Sequence, residues 1–297
     1  MAQTAPPAAR EDETTTARRG ERKTSATTRR PALTVPPVWR ELLLVVLFYT
    51  AYTLTRLILV QDGTGPAFEH AEQILSVERA LGLDVELYFN QTLLTVPWLA
   101  RAANVFYATM HFIVTLGVVV WLYRYRPRHY RWLRTALMIA TGAALLGFWL
   151  YPLAPPRFLH DEGFVDPVTA LHSLGLYASE ASGTFTNQYA AMPSMHAGWA
   201  LWCGVIVAGL ATRKWVKALG AIYPVTTVVV ILATANHYVL DAVAGISLVG
   251  GALWLSWTLY VRCPHRLLIA RARISHRLAQ RGRRSAGRAA AGASAAR

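Results

Sequence analysis

Cysteine and charged residues are both scarce in this sequence. The 297 residues include two cysteines, and charged residues make up 15% of the chain, compared with roughly 25% in soluble domains. Cys203 lies within an apolar stretch and Cys263 borders a basic end, so neither a disulfide between them nor a cysteine-rich metal site is expected. Because apolar residues make up 54% of the chain, the composition disfavours an ordinary soluble domain.

The two ends of the chain are polar and carry much of its net charge of +14. No apolar run closely follows the first residue, so residues 1–38 are predicted to be a disordered cytoplasmic tail rather than a secretory signal peptide. From Arg262 to Arg297 the chain has ten arginines and no acidic residue. Residues 263–297 are therefore predicted to be a basic tail, either a helix on a surface of anionic lipids or a solvated segment.

Six apolar segments lie between these tails, and each approaches the roughly 20 residues that a helix needs to cross a bilayer. They cover residues 42–60, 99–123, 133–151, 192–210, 216–235 and 238–261. Residues 67–89 differ, because apolar residues recur there at helical spacing among acidic ones, which predicts an amphipathic helix on the membrane surface. The predicted fold class is all-α, with residues 39–262 forming a polytopic bundle of six transmembrane helices plus one interfacial helix.

Basic residues mark one side of the predicted bundle. The predicted loop after the second segment, residues 124–134, carries five arginines, and the loop after the fourth segment carries Arg213, Lys214 and Lys217. The loops after the first and third segments carry mostly acidic residues. Since cytoplasmic loops are rich in Lys and Arg, both termini are predicted to be cytoplasmic, in a multi-pass protein of the plasma (inner) membrane.

Three polar motifs are predicted to lie together at the opposite, outer face of the membrane. They are residues 151–157 (YPLAPPR), residues 193–196 (PSMH) and residues 237–241 (HYVLD), at the ends of the third, fourth and sixth segments. Ionisable residues at membrane depth are costly and therefore indicate a functional site.

The last of these motifs has the spacing of a histidine oriented by a carboxylate. His237 and Asp241 are four residues apart, so on a helix their side chains share a face. A hydrogen bond from one ring nitrogen to Asp241 sets the tautomer and leaves the other nitrogen free as a nucleophile. The alternative is a histidine that is merely satisfied by a neighbour on its own helix.

The other two motifs suit a phosphate group. Pro193 favours the first turn of a helix, where free backbone N–H groups attract anions. The Ser194 hydroxyl can add a donor, and protonated His196 can give a proton to a leaving alkoxide. Arg157 can hold two phosphate oxygens at once. Taken singly, these residues also fit a capping serine, an interfacial histidine and an arginine reaching toward headgroups; their convergence on one face favours a site.

In this order the motifs resemble the type-2 phosphatidic acid phosphatase superfamily. The matching residues are Pro193-Ser194-Met195-His196 and His237-x-x-x-Asp241-x-x-x-Gly245. Three further strings resemble the inositol-phosphorylceramide-synthase-like branch: Pro152-x-Ala-Pro-Pro-Arg157, residues 190–196 (AAMPSMH) and Tyr107-x-x-x-His111. The resemblance covers roughly residues 40–262 and implies an integral membrane enzyme of lipid metabolism that needs no metal or other cofactor.

The resemblance also implies a role for each site residue. His237 is then the nucleophile that forms a phospho-histidine, and Asp241 orients it. His196 protonates the leaving alcohol and later activates the acceptor. Arg157, Ser194 and the backbone near Gly198 hold the phosphate.

Two cationic positions of the superfamily are missing from this sequence. Leu150 stands where a Lys precedes Arg157 by seven residues, and Ile231 stands where an Arg precedes His237 by six residues. The candidate substitutes are His111, Arg56 and Asn236. Arg56, however, also suits a contact with headgroups, and His111 lies mid-segment, where a bond to another helix is expected.

The expected activity has two versions, and two other classes of function stay open. A phosphatase passes the phosphoryl group to water, whereas a phosphotransferase passes a headgroup phosphate to a lipid hydroxyl. A zinc-dependent lipid hydrolase would use His111, His196, His237 and Asp241 as ligands, and a membrane carrier or scaffold would have no catalytic site. The expected partners are a phosphorylated lipid and, at the basic tails, anionic lipids; nucleic acid is not expected, and no oligomeric state is predicted.

Overall fold

The computed structural model of the chain describes residues 35–61, 65–171 and 189–262. These residues form helices joined by short turns, and within them the only β-type pairing is an isolated bridge between Leu153 and Ala190. The predicted all-helical class is therefore confirmed for this part of the chain. The two predicted tails, 1–38 and 263–297, lie outside it except for residues 35–38, and so does Cys263, whereas Cys203 is buried and not in a disulfide.

Nine α-helices follow one another along the described residues. They are α1 Val38–Gln61, α2 Gly65–Leu81, α3 Glu86–Leu94, α4 Pro97–Tyr125, α5 Pro127–Leu150, α6 Pro167–Ala170, α7 Met195–Leu210, α8 Lys214–Ala233 and α9 Val239–Trp257. Two 3-10 turns, Pro156–Phe158 and His160–Glu162, lie between α5 and α6, and a π-helical turn, Thr258–Arg262, follows α9. Proline stands in the first turn of α4, α5 and α6, where its missing N–H costs no hydrogen bond.

Four of these helices are long and apolar enough to cross a membrane. By length and composition they are Pro97–Tyr125, Pro127–Leu150, Lys214–Ala233 and Val239–Arg262. α7 is apolar but has 16 residues, which rise only about 24 Å. α1 covers the first predicted segment, but several of its side chains lie outside the described residues. The predicted number of six crossings is therefore not confirmed.

The turn between α4 and α5 is shorter than the sequence predicted. Arg126 alone separates the two helices, whereas the basic stretch 124–134 was expected to be a loop. Pro127 can begin a helix but cannot continue one, which explains why α4 ends just before it. Most of the basic residues therefore lie in the first turns of α5.

Residues 67–89 form two helices rather than the single predicted one. α2 ends at Leu81, Gly82 follows with a φ of +66°, and α3 begins at Glu86. A residue with positive φ ends a helix, and glycine adopts that conformation without steric cost. The apolar face of α2 is buried, with Ala67, Ala71 and Leu75 almost inaccessible, and it shares an apolar cluster with Leu153 and Phe164.

The bundle is held by an apolar core that α4, α5, α7 and α9 share. Trp202 of α7 is fully buried and donates its indole N–H to the Leu133 carbonyl oxygen at 3.0 Å. α7 and α8 approach closely, because a Cβ atom on Gly204 would lie 2.7 Å from the Gly220 carbonyl oxygen. Small residues at such crossings are typical of helices that pack within a membrane.

Large apolar side chains cover the outside of the same helices. Phe112, Leu116, Val225 and Trp254 are each exposed over more than half of their surface. Soluble monomers rarely expose a continuous apolar surface of this kind. A surrounding of lipid chains gives these side chains an apolar solvent and explains the pattern.

Candidate active site

The site begins with a close crossing of α7 and α9. A Cβ atom on Gly245 would lie 2.0 Å from the Ser194 carbonyl oxygen, and one on Gly198 would lie 3.0 Å from the Gly245 carbonyl oxygen. The Ser194 backbone N–H donates to the Asp241 carbonyl oxygen at 2.9 Å. The motif at 193–196 is thereby joined to the start of α9.

His237 lies just before Tyr238, the N-cap residue of α9, and is held by Asp241. The imidazole Nδ1 lies 3.2 Å from Asp241 Oδ2, and the same oxygen accepts the Tyr238 backbone N–H at 3.0 Å. Both side chains are buried, Asp241 completely. Since a carboxylate accepts hydrogen bonds, we infer that Nδ1 carries the proton and that Nε2 has the free lone pair.

The free nitrogen of His237 faces His196 of α7. His237 Nε2 lies 3.3 Å from His196 Nδ1. Two rings of α4 fix the His196 imidazole, because Tyr107 stacks on it with centroids 4.3 Å apart and His111 meets its edge at 4.1 Å. Asp241, His237 and His196 therefore form a chain of three interacting groups.

The turn between α8 and α9 sets the direction in which His237 enters the site. The N–H groups of Asn236 and His237 both reach back to the Ile231 carbonyl oxygen, at 3.0 and 3.3 Å. Ala235, which directly precedes Asn236, adopts a φ of 52°. This left-handed conformation is usually taken by glycine at this position after a helix. The chain thus reverses within three residues at the end of α8.

Arg157 is attached to this turn by both its backbone and its side chain. Its N–H donates to the Ala235 carbonyl oxygen at 2.8 Å, and its guanidinium Nη1 donates to Asn236 Oδ1. Asn236 is fixed in turn by donating to Thr234 Oγ1 at 2.9 Å. Although Arg157 is charged, only 7% of its surface is exposed. A buried guanidinium therefore lies beside the residue that precedes His237.

Ser194 is the N-cap of α7, and this corrects one detail of the sequence analysis. Its hydroxyl accepts the Ala197 backbone N–H at 3.4 Å, and the helix begins at Met195. Pro193 therefore precedes the cap rather than standing in the first turn. Serine is a preferred N-cap residue because its oxygen satisfies a free N–H. Pro193 instead packs on α5, where a Cβ atom on Gly147 would lie 2.7 Å from its Cδ.

The structure gives different environments to the two positions that lack a cation. Ile231 is fully buried among apolar side chains that include Ala197 and Ala242. Leu150, the last residue of α5, is 68% exposed. The two positions therefore lie in different surroundings, and neither aliphatic side chain can supply the missing positive charge.

Two of the three candidate substitutes lie at the site. Asn236 bonds Arg157, and His111 contacts the His196 ring. His111 was expected to bond another helix, but its Nδ1 lies 3.0 Å from the Tyr107 carbonyl oxygen of its own helix. The side chain of Arg56 lies outside the described residues.

Two glutamates of the outer segment predicted to form an amphipathic helix at residues 67–89 also reach this site. Glu86 Oε1 accepts the Val239 backbone N–H and Glu78 Oε1 accepts the Leu240 backbone N–H, both at 2.7 Å. Both side chains are fully buried. Burial raises the pKa of Glu78 from 4.5 to about 9, and it also raises the pKa of Glu86. A sequence signal existed, since Glu78 follows Ala67, Ala71 and Leu75 on the buried face of α2.

Comparison with known proteins now identifies the class to which this fold and site belong. Residues 72–255 match the sequence profile of the PAP2 superfamily, and this range is more than half of the chain and contains every site residue described above except Arg56. The chain belongs to the PAP2 superfamily. No curated protein and no solved structure matches it.

The family assignment agrees with the apolar exterior of the bundle, and the two together indicate a membrane protein. Members of the superfamily are generally phosphatases, and membership fits a phosphatase or phosphotransferase that acts on lipid phosphates. The predicted superfamily is confirmed. The inositol-phosphorylceramide-synthase-like branch is not confirmed by this match.

Proposed function

We propose that this protein cleaves or transfers a phosphate group of a lipid at the extracytoplasmic face of the plasma membrane, through a phospho-histidine at His237. The observation that carries this proposal is the chain from Asp241 through His237 to His196, with contacts of 3.2 and 3.3 Å. It offers an oriented nucleophile and an adjacent proton donor, the two groups that phosphoester cleavage needs.

The first step forms the covalent intermediate. The lone pair on His237 Nε2 attacks phosphorus, the bond between phosphorus and the ester oxygen breaks, and the leaving oxygen takes a proton from His196. Asp241 accepts the Nδ1–H hydrogen bond throughout and stabilises the positive charge on the ring. Since His196 now lies 3.3 Å from His237, the phosphate must enter beside or between the two rings.

The second step releases the phosphoryl group. An acceptor hydroxyl gives its proton to His196 and attacks phosphorus, and the bond between phosphorus and Nε2 breaks. Water as the acceptor yields free phosphate, and a lipid alcohol yields a new phospholipid. The same three residues serve both outcomes, so the acceptor is decided by which hydroxyl can reach His196.

Arg157, Ser194 and the first turn of α7 are the groups that we assign to phosphate binding. Arg157 would exchange its contact with Asn236 for phosphate oxygens, which guanidinium groups hold in pairs. The Gly198 N–H is already bound to the Ser194 carbonyl oxygen at 3.1 Å, so the backbone donors are the N–H groups that precede it in the first turn of α7. The Ser194 hydroxyl adds another donor. Leu150 and Ile231 stand where the superfamily has cations. We therefore assign Asn236 and His111 as the polar residues that substitute for those cations beside the phosphate.

The proposed topology has six crossings with both termini cytoplasmic. In it α1, α4, α5, α7, α8 and α9 cross the membrane, and α2 and α3 lie at its outer surface. Supporting this arrangement, Arg126 and the C-terminal end of α7 meet at the end of the bundle away from His237, where Arg126 Nη2 donates to the Leu210 carbonyl oxygen at 3.0 Å. Positive residues mark the cytoplasmic side.

The two alternative functions, a zinc-dependent hydrolase and a carrier or scaffold, require different groups at the site. Within residues 35–61, 65–171 and 189–262, no group of three or more His, Cys, Asp or Glu side chains could hold a metal ion. The zinc-dependent hydrolase therefore has no supporting ligand set in that part of the chain. A carrier or scaffold would not need His237 as a nucleophile and would keep its full function in His237→Ala.

The deciding experiment is an assay in detergent with EDTA and a panel of lipid phosphates and phosphoinositol lipids. Free phosphate that disappears in His237→Ala supports a phosphatase, and a new phospholipid without free phosphate supports a phosphotransferase. Activity that needs added zinc would contradict the proposed mechanism. Retention of turnover in His237→Ala would contradict the covalent step.

A further inference from the structure

The start of α9, two residues after His237, is held by three carboxyl groups. Asp241 accepts the N–H of Tyr238 at 3.0 Å, and the next two N–H groups along the chain are accepted by glutamates from other helices. Glu86 of α3 binds Val239 and Glu78 of α2 binds Leu240, both at 2.7 Å. Three consecutive backbone groups next to the nucleophile are therefore fixed, two of them from outside α9.

The two glutamates also lie against each other. Each carboxyl group lies close enough to affect the ionisation of the other, and both side chains are fully buried. The second oxygens, Glu78 Oε2 and Glu86 Oε2, are buried and meet no donor among the described residues. Two carboxylates offer only acceptors, so these oxygens can be satisfied together when one group carries a proton and donates it to the other.

We propose that Glu78 and Glu86 share one proton and act as a positioning pair for His237. In this arrangement the pair carries a single negative charge next to the N-terminus of α9, where the helix dipole favours an anion. One O–H bond to the opposite carboxylate removes the cost of two buried unpaired oxygens. This proposal rests on the proposed function, in which His237 is the nucleophile, because the effect of the pair is to fix the orientation of the His237 ring.

The surroundings of the pair agree with one shared proton. Asp241 is the negative group that faces the pair from α9, and it opposes a second charge there. Burial raises the pKa of Glu78 to about 9 and also raises the pKa of Glu86. When two carboxyl groups share one buried site, the pKa of one of them is strongly raised, so a single negative charge is expected near neutral pH.

Three substitutions separate this role from simple packing. Glu78→Gln keeps the acceptor for the Leu240 N–H and gives Glu86 an amide donor in place of the shared proton. Glu78→Ala removes both. Glu72→Ala is the matched control, because Glu72 is an exposed glutamate of the same helix.

We expect Glu78→Gln and Glu72→Ala to keep turnover within a few-fold of the unaltered protein. We expect Glu78→Ala to lower kcat by about 10²-fold, as small displacements of a reacting group do, with KM changed less. The unaltered protein and Glu78→Gln should both lose activity as His196 loses its proton, and the unaltered protein should show a further fall as pH rises through about 9 that Glu78→Gln lacks. His237→Ala is assayed beside them, so that a failure of the proposed chemistry is recognised separately.

The infrared spectrum tests the shared proton without any turnover. A C=O stretch of a protonated carboxyl should be present at neutral pH in the unaltered protein, weaken as pH rises past about 9, and be missing from Glu78→Gln. Absence of that band, equal damage from Glu78→Gln and Glu78→Ala, or full kcat in Glu78→Ala would each overturn the proposal. If Glu78→Ala fails to fold, the spectrum and Glu78→Gln still decide.

Discussion

The Ser194 carbonyl oxygen rests directly on Gly245, so that a Cβ atom there would lie only 2.0 Å away. This contact joins the serine motif of α7 to the start of α9. It explains in steric terms why glycine stands four residues after Asp241, since backbone atoms rather than a flexible side chain fill the space.

Gly245→Ala should therefore separate the two halves of the site. We expect a loss of roughly 1–3 kcal/mol in the free energy of unfolding, typical of overpacking, together with a clear fall in turnover. Thermal unfolding in detergent and lipid phosphate assays measure both. Gly250→Ala is the control on the same helix, because nothing lies within 4 Å of its added methyl group; equal behaviour of the two variants would contradict this account of the crossing.

Removing the nucleophile and removing its orienting group should differ in severity. His237→Ala should abolish turnover, whereas Asp241→Asn should lower it by roughly 10²–10⁴-fold, as with other histidines oriented by aspartate. Single-turnover assays with a radiolabelled lipid phosphate would also trap acid-labile phosphate on the protein. Label that survives in His237→Ala would assign the intermediate to another residue.

Arg157 should matter through its paired hydrogen bonds as well as its charge. Arg157→Ala should lower kcat/KM by roughly 10²-fold or more, as loss of a donor to a developing anion does. Arg157→Lys keeps the charge but not the planar pair of donors, so it should recover only part of that loss. Arg79→Ala removes an exposed ion pair with Glu162 and should leave kcat/KM unchanged; an equal effect in both alanine variants would point to a general charge effect.

Stability should fall as pH rises between the two pKa values of Glu78. The group has its ordinary value of 4.5 when unfolded and about 9 when folded. Between these values the folded state binds more protons than the unfolded state, so the free energy of unfolding decreases with increasing pH. Unfolding midpoints across this window should show a shallower slope in Glu78→Gln than in the unaltered protein, and an unchanged slope would show that Glu78 is ionised in the folded state.

Much of the fold and several parts of the site follow from short-range sequence patterns. Apolar runs of about 20 residues predict helices in a membrane. The spacing of His237 and Asp241 predicted a contact through one shared helical face, but α9 begins at Val239, so Asp241 in its first turn meets a His237 that lies outside the helix. The structure brings those two side chains together with His196, Ser194 and Arg157. Helix ends were less predictable, because Ser194 and Gly82 act through backbone conformations that depend on their neighbours.

The sequence by itself determined the helical class, the superfamily and the residues from which a phosphate site could be built, because local spacing and motif order carry that information. Only the tertiary structure decided that Glu78 and Glu86 hold the start of α9, that Arg157 bonds Asn236, and that the α4 rings enclose His196. These contacts join residues up to 162 positions apart, and they depend on how α2, α3 and α4 pack around the two helix N-termini, which no local pattern specifies.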